Sequence, residues 1–379
     1  MSVPLPDRPL LLKAKTAAAK RILMACPWGP VGGGMYRVVD YLIAHHKAQA
    51  TPGNAELRLE GLDTRGQGSA LSSAPVLMRA LGVVLRGRLR GDLAGVHIHM
   101  AERLSLVRKG MLMLACRALG LPMIVHLHAA QFPQFYRRLP APARWLIRSV
   151  LRLPQGLIVL GQSSWDFVTT ELKVPPERVS IVLNGVPDPS VPRRLPAAHK
   201  RVLFVGNLSQ RKGVGDLLQA LSLPGWHRQH TRVVLAGGGD VESYRGQAQA
   251  LGLGDWVEFT GWLDQTQVAQ QMAQADVLVL PSYDEGLPLV ILEAMAQGVA
   301  VVCTPVGEIG QVIEGGQQAL FVAPGDPTAL AHQLQQVLGD EALRSRLEQA
   351  GRALYAQRFS MAQFQNQIAA LHRRYFEMG

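Results

Sequence analysis

Short apolar runs alternate along this chain with longer segments of helical spacing, and the alternation occurs twice. The first set is RILMAC (21–26), GVHIHM (95–100), MIVHLHA (123–129), GLIVLG (156–161) and VSIVLN (179–184). The second is KRVLFVG (200–206), VVLAGG (233–238), VEFTG (257–261), VLVLPS (277–282) and VAVVCTP (299–305). Continuous apolar strands separated by helices predict parallel sheets covered on both faces. Each set opens with a strand and a glycine turn, which points to an α/β protein of two Rossmann-like, doubly wound domains facing a central cleft. The expected boundaries are an N-terminal extension (1–19), a first domain (20–188), the Pro-rich linker (189–198) and a second domain (199–358). A C-terminal helix (359–379) closes the chain.

With 379 residues, 48% of them hydrophobic, two sizeable cores are within reach. The longest apolar candidate, MLMLACRALGLPMIV (111–125), is broken by Arg117 and falls short of the roughly 18–20 residues of a membrane span. The N-terminus lacks the pattern of a signal peptide. Cys26, Cys116 and Cys303 are scattered, an arrangement expected of reduced thiols in a cytoplasmic protein. The chain has no Asp-x-Asp, so no metal site for a diphosphate is expected, and no cofactor.

Charge is uneven: residues 1–188 carry 24 Lys/Arg against 11 Asp/Glu, while residues 189–379 carry 15 against 17. The 63 residues between Glu102 and Asp166 hold nine cations and no carboxylate. Within them, 137–152 reads as one basic amphipathic helix with Arg144, Arg148 and Arg152 four apart. Such a helix either rests on anionic lipid or is a solvated basic stripe, and the acid-free tract favours the membrane. No nucleic-acid module pattern accompanies the charge.

The most informative stretch is PSYDEGLPLVILEAMAQ (281–297), which follows the strand DVLVL (276–280). A turn holds Glu285 and Gly286, and Pro288 suits the first turn of a helix that carries Glu293. Free amides at Gly286 and Leu287 make an anion site fit for a diphosphate. Carboxylates beside phosphate need hydroxyl partners, so Glu285 and Glu293 point to a sugar and a ribose. Arg211 and Lys212, just past the strand VLFVG, are placed to clamp the diphosphate and neutralise the leaving group. Glu285 and Lys212 both fall on turns, so replacing either is expected to cost little stability. The glycine run GPVGGG (29–34) lets Gly33 and Gly34 approach a ligand closely. His97 and His99, like His126 and His128, alternate at period two, which puts each pair on one strand face near the cleft.

The spacing PSxxEGxPxxxxEAMAxG, with GNLSQRKGVGDLLQAL (206–221), VVLAGGGD (233–240), VEFTGWL (257–263) and VLNGVPDP (182–189), resembles the large retaining glycosyltransferase family 4 of GT-B fold. The resemblance covers about residues 20–375. It implies a metal-independent transferase acting on a nucleotide-sugar, akin to the mannosyl- or glucosyltransferases of bacterial exopolysaccharide and lipopolysaccharide synthesis. Arg211 and Lys212 would hold the diphosphate, and Gly206, Asn207, Gly286 and Leu287 would line the donor site. Glu293 would take the ribose, Glu285 the sugar, and His128 (or His126) would touch the transferred sugar. His99 and Arg103 would shape the acceptor side, and the last helix would cross back to the first domain. GDP-mannose is the family's commonest donor, with UDP-sugars as the alternative. A lipid-linked or saccharide acceptor is expected, at the inner face of the cytoplasmic membrane. Gly310-Gln311 replaces the family's Pro-Glu, and Ala300 stands where relatives have Pro. The alternatives are a sugar-nucleotide 2-epimerase of the same fold, and a non-catalytic nucleotide- or lipid-binding scaffold.

Overall fold

The computed structural model describes residues 20–29, 33–49, 57–66, 68, 73–128, 130–193 and 199–376. The expected N-terminal extension, residues 194–198 of the linker, residues 30–32 of the glycine run and the last three residues lie outside them.

The first sheet contains β1 (Lys20–Cys26), β2 (Leu57–Asp63), β3 (Leu93–Met100), β4 (Met123–Leu127), β5 (Gly156–Val159) and β6 (Val179–Ile181). They lie in the order β2-β1-β3-β4-β5-β6, all parallel. The second sheet contains β7 (Lys200–Val205), β8 (Thr231–Ala236), β9 (Val257–Gly261), β10 (Val277–Leu280), β11 (Ala300–Cys303) and β12 (Leu320–Phe321). Its order, β12-β11-β10-β7-β8-β9, is also parallel throughout. Every residue of β3, β4, β10 and β11 is buried, as strands covered on both faces require. The strand order reverses between β1 and β3 in one sheet and between β7 and β10 in the other. Ligands of such sheets bind at the carboxyl ends beside these reversals, so the topology alone singles out the loops after β1, β7 and β10.

The helix Met361–Phe376 returns to the first sheet and buries Phe364, Ile368, His372 and Phe376. Two strand glycines make room for it. A Cβ on Gly95 would lie 2.5 Å from the Phe376 ring, and one on Gly156 would lie 2.5 Å from the Tyr375 ring. Among the described residues no helix is long and apolar enough to cross a membrane.

Three local expectations change. The segment 137–152 is not one helix: Phe132–Arg137 ends and Ala141–Leu151 begins afresh, with Pro140 extended between them. Pro140 has no amide hydrogen with which to continue the first helix, so the chain restarts after it. Asp276 falls out of the expected strand because its carboxylate accepts the Arg201 amide at 2.8 Å. The helix carrying Glu293 runs Leu289–Gln297, with Pro288 as its extended cap and outside its first turn.

Candidate active site

A cleft of about 830 Å³ opens between the two sheets, lined from both domains. On the second domain its floor is built where β7 and β10 end. Gly213 adopts φ +66°, and a Cβ there would meet the Pro281 carbonyl, so only glycine lets the turn after β7 pack on the end of β10. That packing brings Lys212 Nζ to 2.5 Å from Glu285 Oε1. Ser282 Oγ donates to the same oxygen at 2.7 Å, and Arg211 Nη1 stands 3.8 Å from Oε2. Arg211 also donates to the Asp284 carbonyl at 2.8 Å, while its own carbonyl accepts the Tyr283 amide. Glu285 is buried at 7% exposure, and its carboxylate is held by two donors, Lys212 and Ser282, with the Arg211 cation nearby, before any ligand arrives. Gly206, Asn207, Arg211, Lys212, Glu285, Gly286 and Leu287 all line the cleft, as their positions in the motifs led one to expect.

The facing wall comes from the first domain. Gly33 and Gly34 lie at the cleft, with no atom within 4 Å of where their Cβ would stand. His128 follows β4 and lines the cleft opposite Glu285. Burial pushes its imidazole down to about 3, so it is neutral across the physiological range. His99 Nδ1 lies 2.9 Å from His128 Nε2. The structure corrects three expectations here. His99 and His126 are fully buried behind His128 and cannot reach an acceptor, because the even spacing turns both rings into the space under the last helix. Arg103 is exposed and caps the helix Leu104–Ala118 at φ +59°, outside the cleft lining.

Glu293 does not line the main cleft. It borders a smaller pocket alongside, and Arg37, Gln265 and Val268 are common to both. Tyr41 OH donates to Glu293 Oε1 at 2.9 Å, Arg37 Nη1 stands 3.6 Å away, and Oε2 is buried without a partner.

Several lining residues escaped the sequence reading: Arg37, Glu102, Gln131 and Trp262. Trp262 is 51% exposed, a large aromatic left open at the cleft; its position in VEFTGWL was the available signal. Glu308, also missed, reaches across the domains, accepting from Ser164 N at 3.0 Å and Ser164 Oγ at 2.6 Å. Gly161 leaves the space for it, since a Cβ there would overlap the Glu308 carboxylate. Gln311, a departure from the family pattern, contributes to the same seam through Ser163 Oγ at 2.5 Å.

The basic helix also differs from expectation. Arg148 Nε donates to Tyr136 OH at 2.6 Å, so it is a structural contact and not a free surface charge. Trp145 and Leu146 instead face outward, 68% and 56% exposed. Beside them, Leu104, Val107, Met111 and Leu114 of Leu104–Ala118 and Leu85 and Leu89 of Ser73–Arg90 are also exposed. These three helices pack side by side.

Residues 191–354 match the family described as "Glycosyl transferases group 1". This chain is a glycosyltransferase. An alpha-D-kanosaminyltransferase of Streptomyces kanamyceticus is 27% identical over 311 residues, 76% of this chain and 79% of that protein. A glycogen synthase of Mycobacterium tuberculosis is 30% identical over 245 residues, 61% of this chain; the chain spans just over half (58%) of its length. The structure of Anabaena HepE in complex with UDP and glucose superposes with a TM-score of 0.71 at 20% identity, covering 93% of this chain and 99% of that one. The glycosyltransferase therefore has the GT-B fold.

Proposed function

We propose that this glycosyltransferase moves a sugar from a nucleotide-sugar to a lipid-linked saccharide, retaining the anomeric configuration and using no metal ion on the diphosphate. One observation carries the reading: Glu285, fixed by Lys212, Ser282 and Arg211, faces His128 and Gly33–Gly34 across a two-domain cleft. Arg211 and Lys212 take up the charge that grows on the leaving nucleoside diphosphate, a role worth roughly 10²–10³ in rate per preorganised donor. Glu285 and neutral His128 bind hydroxyls of the transferred sugar. The unpartnered Oε2 of Glu293 accepts from the ribose, and Trp262 offers a face to the base. No carboxylate needs to attack the sugar: the acceptor hydroxyl adds from the face the diphosphate leaves, and the departing phosphate oxygen takes its proton. GDP-mannose heads the candidate donors. UDP-glucose stands beside it, since Anabaena HepE binds UDP and glucose.

The acceptor proposal rests on the first domain. Exposed apolar side chains on three adjoining helices, together with Arg144 and Arg152 in a tract without carboxylates, fit the inner surface of an anionic membrane.

Turnover with a panel of GDP- and UDP-sugars, with and without a membrane extract, and with Mg²⁺ or Mn²⁺ added or omitted, tests all of this. Label moving from one donor into the lipid fraction, equally without added metal, is the expected result. Donor conversion without lipid would favour epimerase chemistry, and silence across the panel would favour a binding scaffold.

A further inference from the structure

Behind the cleft wall, five histidines meet inside the first domain. His97 and His99 come from β3, His126 from β4, His128 from the loop after it, and His372 from the returning helix. The rings pack in a continuous group, with centroids 4.4 Å apart for His97–His99, 4.1 Å for His126–His128 and 5.2 Å for His99–His126. Stacked imidazoles are an odd filling for a core that holds Ile, Val and Leu elsewhere. Each ring nitrogen needs a partner, and here the partners divide into an outer and an inner set. The outer nitrogens are satisfied: His97 Nδ1 lies 2.9 Å from His372 Nε2, and His99 Nδ1 lies 2.9 Å from His128 Nε2. The inner ones are not. His97 Nε2, His99 Nε2 and both nitrogens of His126 are buried with no hydrogen-bond partner.

We propose that His97, His99 and His126 form a buried site for a d-block metal ion, zinc being the first candidate, which fixes His128 at the cleft wall. One nitrogen from each of the three lies within 4.8 Å of the others. Zinc bound at about 2.0–2.1 Å draws such nitrogens to about 3.4 Å apart, a closure that small ring rotations supply. Three imidazoles with no carboxylate among them favour zinc, nickel or copper and reject magnesium and calcium, which take oxygen ligands. The outer hydrogen bonds are those that metal-bound histidines use to set ring orientation. Metal on Nε2 of His99 leaves the proton on Nδ1, which donates to His128 Nε2. His128 then keeps its own proton on Nδ1, as a hydrogen-bond donor. Metal on Nε2 of His97 likewise makes Nδ1 donate to His372, tying the last helix to the sheet. The ion is structural and separate from the donor diphosphate, so the inference stands apart from the donor and acceptor assignments.

The test uses the full chain without a polyhistidine tag, stripped with chelator, equilibrated with zinc sulfate, passed through gel filtration and assayed for metal by mass spectrometry. One zinc per chain is expected, falling at least tenfold in His126→Asn and unchanged in His227→Ala/His230→Ala, an exposed histidine pair. Cobalt is expected to give the visible absorption of a four-coordinate site with three imidazole nitrogens and a water in the fourth position, and magnesium no binding. If His126→Asn does not fold, wild type alone decides: its thermal midpoint rises with zinc and returns with chelator. Folded wild type holding less than a tenth of an equivalent, or His126→Asn keeping a full one, overturns the proposal.

Discussion

Lys212 and Glu285 belong to turns after different strands, β7 and β10, yet their charged ends lie 2.5 Å apart. The pair is no surface decoration, because the Glu285 side chain is 8% exposed and that of Lys212 12%. Lys212→Ala is expected to lower kcat by about 10²–10³, the loss of one preorganised charge at the leaving group. It is also expected to cost about 1–3 kcal/mol of stability, since the buried carboxylate loses its nearest cation and keeps only Ser282 and the more distant Arg211. This reverses the expectation of a mild effect drawn from position on a turn. Glu285→Gln keeps the shape and is expected to lose rate with a smaller stability loss. Saturating-donor kinetics and urea midpoints separate the two effects; kcat unchanged in either variant removes that residue from the chemistry.

Glu293 sits beside the main cleft, held by Tyr41 from the opposite domain. Glu293→Gln is expected to raise the donor KM about tenfold, the value of one hydrogen bond to a charged group, and to change kcat less. A donor lacking the ribose hydroxyls should show no such difference between wild type and variant. Equal KM ratios for both donors would remove Glu293 from ribose binding.

The buried histidines predict acid sensitivity. Burial holds His128 and His372 down to about 3, and His97, His99 and His126 well below their ordinary 6.5. Between those values and 6.5 the unfolded chain binds more protons than the folded one, so stability rises with pH there. It is fully present above 6.5 and is lost as the pH falls below it. Each histidine adds a slope of up to about 1.4 kcal/mol per pH unit. Thermal midpoints measured from pH 8 to pH 4.5 should fall steeply below 6.5, and a flat profile would contradict the burial of the cluster.

Membrane contact divides the arginines of Ala141–Leu151 and its cap. Arg144→Gln and Arg152→Gln should weaken binding to anionic vesicles by about 1 kcal/mol each, an effect that salt erases. Trp145→Ala should weaken it in a salt-insensitive way. Arg148→Gln should lower stability, because it loses the bond to Tyr136. Sedimentation with vesicles and thermal melts read the two outcomes, and unchanged vesicle binding in all three returns this helix to an ordinary solvated face.

Gly156→Ala is expected to cost about 1–3 kcal/mol through overpacking against Tyr375, a stiff ring with little room to retreat. A chemical denaturation curve measures it; a loss below 0.5 kcal/mol would show that the last helix can shift.

Ten of the twelve strands were legible because they are short apolar runs, a signal that depends only on local sequence; β2 (LRLEGLD) is interrupted by charged residues and β12 is two residues long, and neither was expected. Lys212, Glu285 and Gly286 were legible because motif position carries them to the strand ends. What stayed hidden depends on contacts between distant segments. His99 and His126 share the spacing of His128, and only the returning helix decides that they are covered. Arg148 reads like Arg144 until Tyr136, on a separate helix, claims it. Glu308 and Tyr41 act across the domain boundary, and no local pattern marks a side chain for that.

The two passages of the chain between the domains lie side by side. Val186 N donates to the Phe359 carbonyl at 3.0 Å, Val186 pairs with Ser360 as a parallel bridge, and Tyr355 OH donates to the Val186 carbonyl. The chain is thus bonded to itself where it crosses between the domains, and Tyr41–Glu293 and Ser164–Glu308 are further bonds between the same two domains. Any movement that parts the domains must break both of these contacts, so a wider cleft costs the bonds at both places together.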